Sequence, residues 1–371
     1  MESLLTPALL FPIYLGRDTI LAIYFISIAF SSVGGITVLS RIPTRTFLIY
    51  WMITDIVALL FPSLFTFGTE IEFLLFTVWL GFSVGVGFPR CLTFFSNSTT
   101  MEERGRVGGA IIFVTYLLTP ILLLVTRGLE YSIHLAIYAG WRAVGLATIY
   151  FIGADEFSES SEDEGKIGQQ LTRSRQLLLY FIPWATFSLI NGMDIHVYGK
   201  FHTQETIETG LMLMQLSGSF SSILGGVAID FVGRRTSITF AMVILGLGYV
   251  ALSFAQSSLL SWFFFSVTLG IAWGVLSIAY VLVIWGELGS REKREKYYAI
   301  GMIPFFLSQA IGYLLKPILS QFSSTQLFST ATLLYFLAVI PLLFAEDILP
   351  LRVIEQRRMK EYIRKAKQIT D

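Results

Sequence analysis

Between two long apolar segments, 209–229 and 236–257, the chain carries Gly226-Val227-Ala228-Ile229-Asp230-Phe231-Val232-Gly233-Arg234-Arg235. A carboxylate followed four and five residues later by two guanidinium groups can make charge-assisted hydrogen bonds. Gly226 and Gly233 permit tight helix ends and close backbone approach. These charges would be costly in hydrocarbon, so the stretch belongs at a membrane surface, where long side chains snorkel or pair. Its chemistry is that of a polar contact that can form and break. The bland alternative is a basic turn that only sets topology.

The other reactive side chains exclude more than they offer. Cys91 is the single cysteine, so no intramolecular disulfide is possible, and it reads as a small packing residue. No two of His134, His196 and His202 have ligand spacing on one helix face, so neither a metal site nor a cofactor is expected. No His/Glu, Ser/His or Cys constellation gathers near one interface, and an enzyme is not expected. The formal net charge of zero gives no nucleic-acid surface. The first 16 residues lack the basic region of a cleavable signal.

The elements that must position these groups are membrane spans. With 54% hydrophobic and 14% charged residues and a mean hydropathy of +0.69, the composition is that of a polytopic membrane protein. Apolar spans are expected at 18–39, 46–67, 70–96, 107–126 and 132–153, then at 176–198, 209–229, 236–257, 259–286, 296–318 and 325–345. Residues 1–16, with Pro7 and Pro12, would reach only about 24 Å as a helix, short of the hydrocarbon core. The fold class is therefore all-α, with eleven full spans and an N-terminal half-helix. Arg41, Arg45, Arg104, Arg106, Arg173, Arg175, Arg234, Arg235, the 291–296 run and the tail share one side, which is expected to be cytoplasmic.

An internal repeat divides the chain. Gly81-x-x-x-Gly85 returns 189 residues later as Gly270-x-x-x-Gly274. Residues 40–46 align at a shift of 190 with 230–236, and Met101 to Gly109 lies where the charged run 291–296 lies in the second half. On these residues the chain resembles the major facilitator superfamily: G-x-x-x-D-x-x-G-R-R between the second and third helices of a half, and E-E-R-G-R after the fourth. The resemblance implies two pseudo-symmetric helical bundles, 1–153 and 176–345, joined by the acidic linker 154–175 and followed by the basic tail 346–371, with linker and tail cytoplasmic. It implies transport by alternating access, with Gly226, Asp230, Gly233, Arg234 and Arg235 as a cytoplasmic gate. Two departures stand out. The first copy of the loop has Ser40, Pro43 and Thr44 in place of the Asp, the second Gly and one Arg. The first half also has five full spans where the family has six, which reads as an N-terminally shortened chain.

Ionisable and polar residues within spans are the remaining candidates. Counted from the cytoplasmic ends, Asp55 lies roughly 14 Å deep and Arg142 roughly 16 Å. Equal depth and opposite charge suggest a buried pair, either structural or a coupling site. Arg90, after Pro89, could meet an anionic solute or snorkel to the inner surface. Asn191 and Gln309, at roughly 22 Å and 20 Å, fall on spans that the resemblance places around the cavity. Trp184 and Tyr280 could add stacking surface. Interhelical hydrogen bonding is the bland role for each of these. Asp194 and His196 are expected at the outer interface.

The tail from Arg352 reads as an interfacial basic helix or a solvated tail, and the linker as a flexible tether. The function expected is secondary transport of a small solute across the cell membrane, uniport or coupled to a proton or cation, by a monomer in the lipid bilayer. The competing reading is a non-transporting receptor or scaffold derived from a decayed transporter.

Overall fold

A computed structural model describes residues 16–38, 42–65, 67–126, 128–151, 170–194, 196–347 and 359. The expected half-helix at 1–15, Ser40 and Arg41, most of the acidic linker, and the tail beyond Asp347 other than Met359 lie outside the described residues. What is described is helical: α1 (Arg17–Val38), α2 (Thr44–Leu64), α3 (Glu70–Asn97), α4 (Arg104–Thr126), α5 (Tyr131–Phe151), α6 (Gln170–Asp194), α7 (Gln204–Phe231), α8 (Arg234–Phe254), α9 (Leu259–Leu276), α10 (Ile284–Leu288), α11 (Arg294–Leu319) and α12 (Ser324–Phe344). A π-helical segment, Ser277–Val283, joins α9 to α10 without a break. Helix is the form such apolar stretches must take in lipid, because each backbone N–H and C=O finds its partner within the segment. Among the described residues, nine helical stretches are long and apolar enough to cross a membrane.

The ends are fixed by caps. Thr69 and Thr203 accept the amides of Glu72 and Thr206 at the starts of α3 and α7. Ser323 and Gln326 form a reciprocal capping box on α12. Helix ends differ from the apolar pattern at several places: α6, expected at 176–198, runs from Gln170 to Asp194, and α4 and α7 extend into their charged flanks. Arg104 and Gly105 lie in the first turn of α4, and Asp230 in the last turn of α7, leaving only Val232 and Gly233 between α7 and α8. Gly233 has a φ of +121°, a conformation open to glycine but not readily to other residues.

The repeat extends to individual contacts. Gly81 and Gly85 let α3 lie against Tyr24, Ser27, Ile28 and Ser31 of α1. Gly270 and Gly274 let α9 lie against Met214, Ser217, Gly218 and Ser221 of α7, the same four positions displaced by 190. Ser27 donates to the Val78 carbonyl at 2.7 Å, and Ser217 to that of Val267 at 3.3 Å. Small residues are needed here because helices in lipid associate through close backbone packing. Two further crossings, α4 on α7 and α1 on α11, join the first-half helices to the second-half ones.

Candidate functional site

The groups at the basic end converge where α4 crosses α7. Asp230 is buried, 1% exposed. Its Oδ1 accepts the backbone N–H of Gly105 and its Oδ2 that of Arg106, both at 2.9 Å. First-turn amides of a helix have no intrahelical acceptor and carry the positive end of its dipole. Asp230 thus caps α4 from the opposite half, an anion seated on a helix N-terminus. Arg106 Nε stands 3.5 Å from Oδ2, and Arg234 Nη2 3.8 Å from Oδ1. The capping requires backbone contact: Gly226 lies on the Gly105 carbonyl with no room for a Cβ, and Ser222 Oγ donates to the Gly109 carbonyl at 3.0 Å.

Beside it sits a residue that the sequence reading passed over. Glu287, its side chain fully buried on α10, receives Arg234 in bidentate fashion, Nε to Oε2 at 3.1 Å and Nη2 to Oε1 at 2.8 Å. Arg104 Nη1 approaches the same Oε1 at 3.5 Å from the other half, and its side chain is also fully buried. Arg234 further donates to the carbonyls of Ile229 and Met101, each at 2.8 Å. Glu287 stands at the end of the longest apolar run, next to a charged loop, so in sequence it looks like a surface residue. Its signal is in the repeat: displaced by 190, it is the counterpart of Asn97. Arg104 reaches the carbonyl of Ser96 at 2.7 Å and Glu287 across the interface. Arg294 reaches the carbonyl of Gly286 at 3.0 Å and Asn97 across it at 2.7 Å. The two arginines make matching contacts from opposite halves.

Arg90, offered as a solute contact, is committed elsewhere in this conformation. It pairs with Glu295 of α11 at 3.3 Å, donates to the Ile42 carbonyl at 3.1 Å and lies over the Phe47 ring at 4.5 Å. Arg235 turns away from the crossing: its backbone N–H donates to Asp347 and its Nη1 to the Ala345 carbonyl.

Asp55 and Arg142 meet at 2.6 Å between α2 and α5, with Ser83 Oγ donating to Asp55 at 3.1 Å. Trp184 and Tyr280 stack on each other at 4.8 Å, both fully buried, and Trp184 donates to the Gly301 carbonyl at 2.8 Å. Asn191 and Gln309 are half-buried, where α6 crosses α11 with Gly192 against the backbone of Ser308 and Gln309. Asp194 is buried, 6% exposed, and accepts the hydroxyls of Tyr198, at 2.5 Å, and Tyr249. The short turn after α6 folds Tyr198 back over it, which counting residues along a straight helix does not show. His196 is half-buried against Tyr313. At the end opposite Glu287, Lys316 of α11 meets both oxygens of Asp18 of α1 at 2.9 Å. A cavity of about 490 Å³ lined by Phe61, Phe67, Phe76 and Trp79 lies between α2 and α3, away from all the solute candidates.

The fold has counterparts. The sequence profile of the Major Facilitator Superfamily matches residues 175–368, over half of the chain. The proton:xylose symporter XylE bound to 6-bromo-6-deoxy-D-glucose superposes with a TM-score of 0.71 at 14% identity, over 93% of this chain and 90% of that one. The human organic anion transporter MFSD10 (TETRAN) superposes with a TM-score of 0.68 at 13% identity, over 88% and 83%. No curated protein sequence matches the chain. The chain belongs to the Major Facilitator Superfamily, and its class is that of secondary membrane transporters.

Proposed function

We propose that the chain moves a small solute across the cell membrane by alternating access, as a uniporter or coupled to a proton or cation, and that it catalyses no covalent step. The observation that carries this reading is the seat of Asp230 on the N-terminus of α4. It joins the halves through hydrogen bonds and the facing Arg106 ion pair, and such contacts can exchange for water when the halves part. Around it Glu287, shared by Arg234 and Arg104, makes the closed basic end a latch of buried charges. Gly226, Asp230, Gly233 and Arg234 form its core, and Arg235 holds the start of α8 beside it. The basic end faces the cytoplasm, as the Lys and Arg distribution indicates. The arrangement comprises eleven spans and a half-helix, in bundles 1–153 and 176–345 with the linker and tail cytoplasmic, and works as a monomer.

Asn191 and Gln309 are the proposed solute contacts, with Trp184 and Tyr280 as the wall behind them. Arg90 and the Asp55–Arg142 pair serve the scaffold in the closed state. The solved relatives are described as a xylose symporter and an organic anion transporter, so sugars and organic anions are the classes to try first.

The test is counterflow of labelled pentoses, hexoses and organic anions into proteoliposomes, with Asn191→Ala and Gln309→Ala in parallel. Saturable exchange that both variants weaken supports the reading. A protein inert across the panel, with cysteine accessibility fixed on both faces, would instead favour the non-transporting receptor or scaffold.

A further inference from the structure

The two halves differ by one residue inside one helix. The glycines of α3 and α9 align at a shift of 189, whereas Ser96 and Gly286, Asn97 and Glu287, and Arg104 and Arg294 align at 190. The second half therefore holds one extra residue between Gly274 and Gly286. That is where the π-helical segment Ser277–Val283 lies, the amide of Ile284 reaching back five residues to the carbonyl of Ala279. The matching part of α3 is plain α-helix. A π-bulge absorbs a single inserted residue and returns the helix to phase. Here it keeps Glu287 on the Arg104–Arg234 side, as Asn97 is kept toward Arg294. If the same residues formed α-helix throughout, everything beyond the bulge would turn by about 100°, and Glu287 would leave its arginines.

The bulge is clasped at both ends. At its start Ser277 Oγ bonds the hydroxyl of Tyr116, on α4 of the opposite half, at 2.7 Å. At its end the hydroxyl of Tyr298, on α11, donates to the Leu282 carbonyl at 2.5 Å. The fully buried Tyr280 within it has a hydroxyl with no hydrogen-bond partner among the described residues, which makes this register costly to hold without the clasp.

We propose that the bulge at 277–283 is a two-register element that sets the cytoplasmic latch, with Tyr116 and Ser277 as its positioning residues. In the π register, held by Tyr116 when the halves meet, Glu287 engages both arginines. Parting the halves removes Tyr116, the segment relaxes to α-helix, and Glu287 turns away, so the latch cannot re-form until the clasp does. The inference rests on the alternating-access reading and adds the element that couples separation to the latch.

The experiment is pulsed electron–electron spin resonance on full-length protein in lipid nanodiscs. Labels go on exposed positions of opposite halves at the basic end, Glu102→Cys and Lys293→Cys, in a Cys91→Ser background. The unmodified latch is expected to show a short and a long distance. Tyr116→Phe, which removes one hydroxyl, should raise the long-to-short ratio by about fivefold, the factor of one ordinary net hydrogen bond. Deleting Ala279 should act in the opposite direction. The segment then has the length of its α3 counterpart, Glu287 is in phase as plain α-helix, and the long-distance population should be lost. A deletion that only damaged packing would not tighten the latch. If the deletion variant does not fold, Tyr116→Phe and Ser277→Ala still decide, since both must raise the ratio. Two distances that these variants leave unmoved, or move in the same direction as the deletion, overturn the bulge as the setting element and leave alternating access intact. A single distance in the parent protein overturns both.

Discussion

Arg142 Nε lies 2.6 Å from a carboxylate oxygen of Asp55, bringing together two residues 87 positions apart on α2 and α5. Asp55 is 2% exposed, and Ser83 of α3 donates to its other oxygen at 3.1 Å. Trp51 closes the group, its Nε1 donating to the Ser83 carbonyl at 2.5 Å. Three helices of the first half are tied at one point.

Removing one member of this pair strands the other. Asp55→Asn or Arg142→Gln alone should lower folded yield and thermal stability, Arg142→Gln the more, since it strands the buried Asp55 and an uncompensated buried charge costs about 3–5 kcal/mol, whereas Arg142 is one-third exposed. The double variant should recover most of the loss, and fluorescence-detected size exclusion across a temperature series reads all three. Failure of the double variant to recover would show that the residues do not act as a pair.

Asp230→Asn keeps the shape of the side chain but removes the charge facing the α4 dipole and Arg106. Hydrogen bonds to charged groups contribute about 1.5–3 kcal/mol, so the closed basic end should lose roughly tenfold or more in population. A cysteine at Ile112, buried on α4, should then label faster from the cytoplasmic side of oriented vesicles. Unchanged labelling would leave Asp230 only a topological role.

Glu287→Gln should be the more severe change. It leaves the buried guanidinium groups of Arg104 and Arg234 without their shared anion, where Asp230 approaches Arg234 only at 3.8 Å. Both lower stability and a basic end shifted toward open are expected. Arg104→Gln added to Glu287→Gln should restore part of the stability by removing one stranded charge, which thermal denaturation in nanodiscs can show.

Asp194→Ala leaves the hydroxyls of Tyr198 and Tyr249 buried without their acceptor, at about 1–3 kcal/mol each. Adding Tyr249→Phe should return part of that stability. A double variant no more stable than the single one would remove the carboxylate–tyrosine cluster as the reason for the loss.

Much of this architecture is legible in the sequence. Long apolar segments in lipid can satisfy their backbones only as helices, so helical segments follow from hydropathy, and some ends shift where a cap or a partner extends them. Arg104 is such an end: it falls within a helix because Asp230 of the other half supplies what its terminus lacks. The Asp55–Arg142 pairing was open to inference because helical rise converts sequence position into depth. Lateral neighbours are a different matter. Trp184 and Tyr280 could be named as aromatic, but whether they face a cavity or each other depends on helix rotation, which hydropathy leaves free when all faces are apolar.

By itself the sequence determined an all-helical membrane fold, the repeat and the loop with its carboxylate and two arginines, because each depends on local covalent order and the cost of exposing polar backbone to lipid. Tertiary structure alone decided that Asp230 caps a helix of the other half, that Glu287 is a buried hub rather than a surface residue, and that a one-residue bulge keeps it there. Those outcomes depend on which helix faces lie together across the interface, and it is packing between segments distant in the chain that selects them.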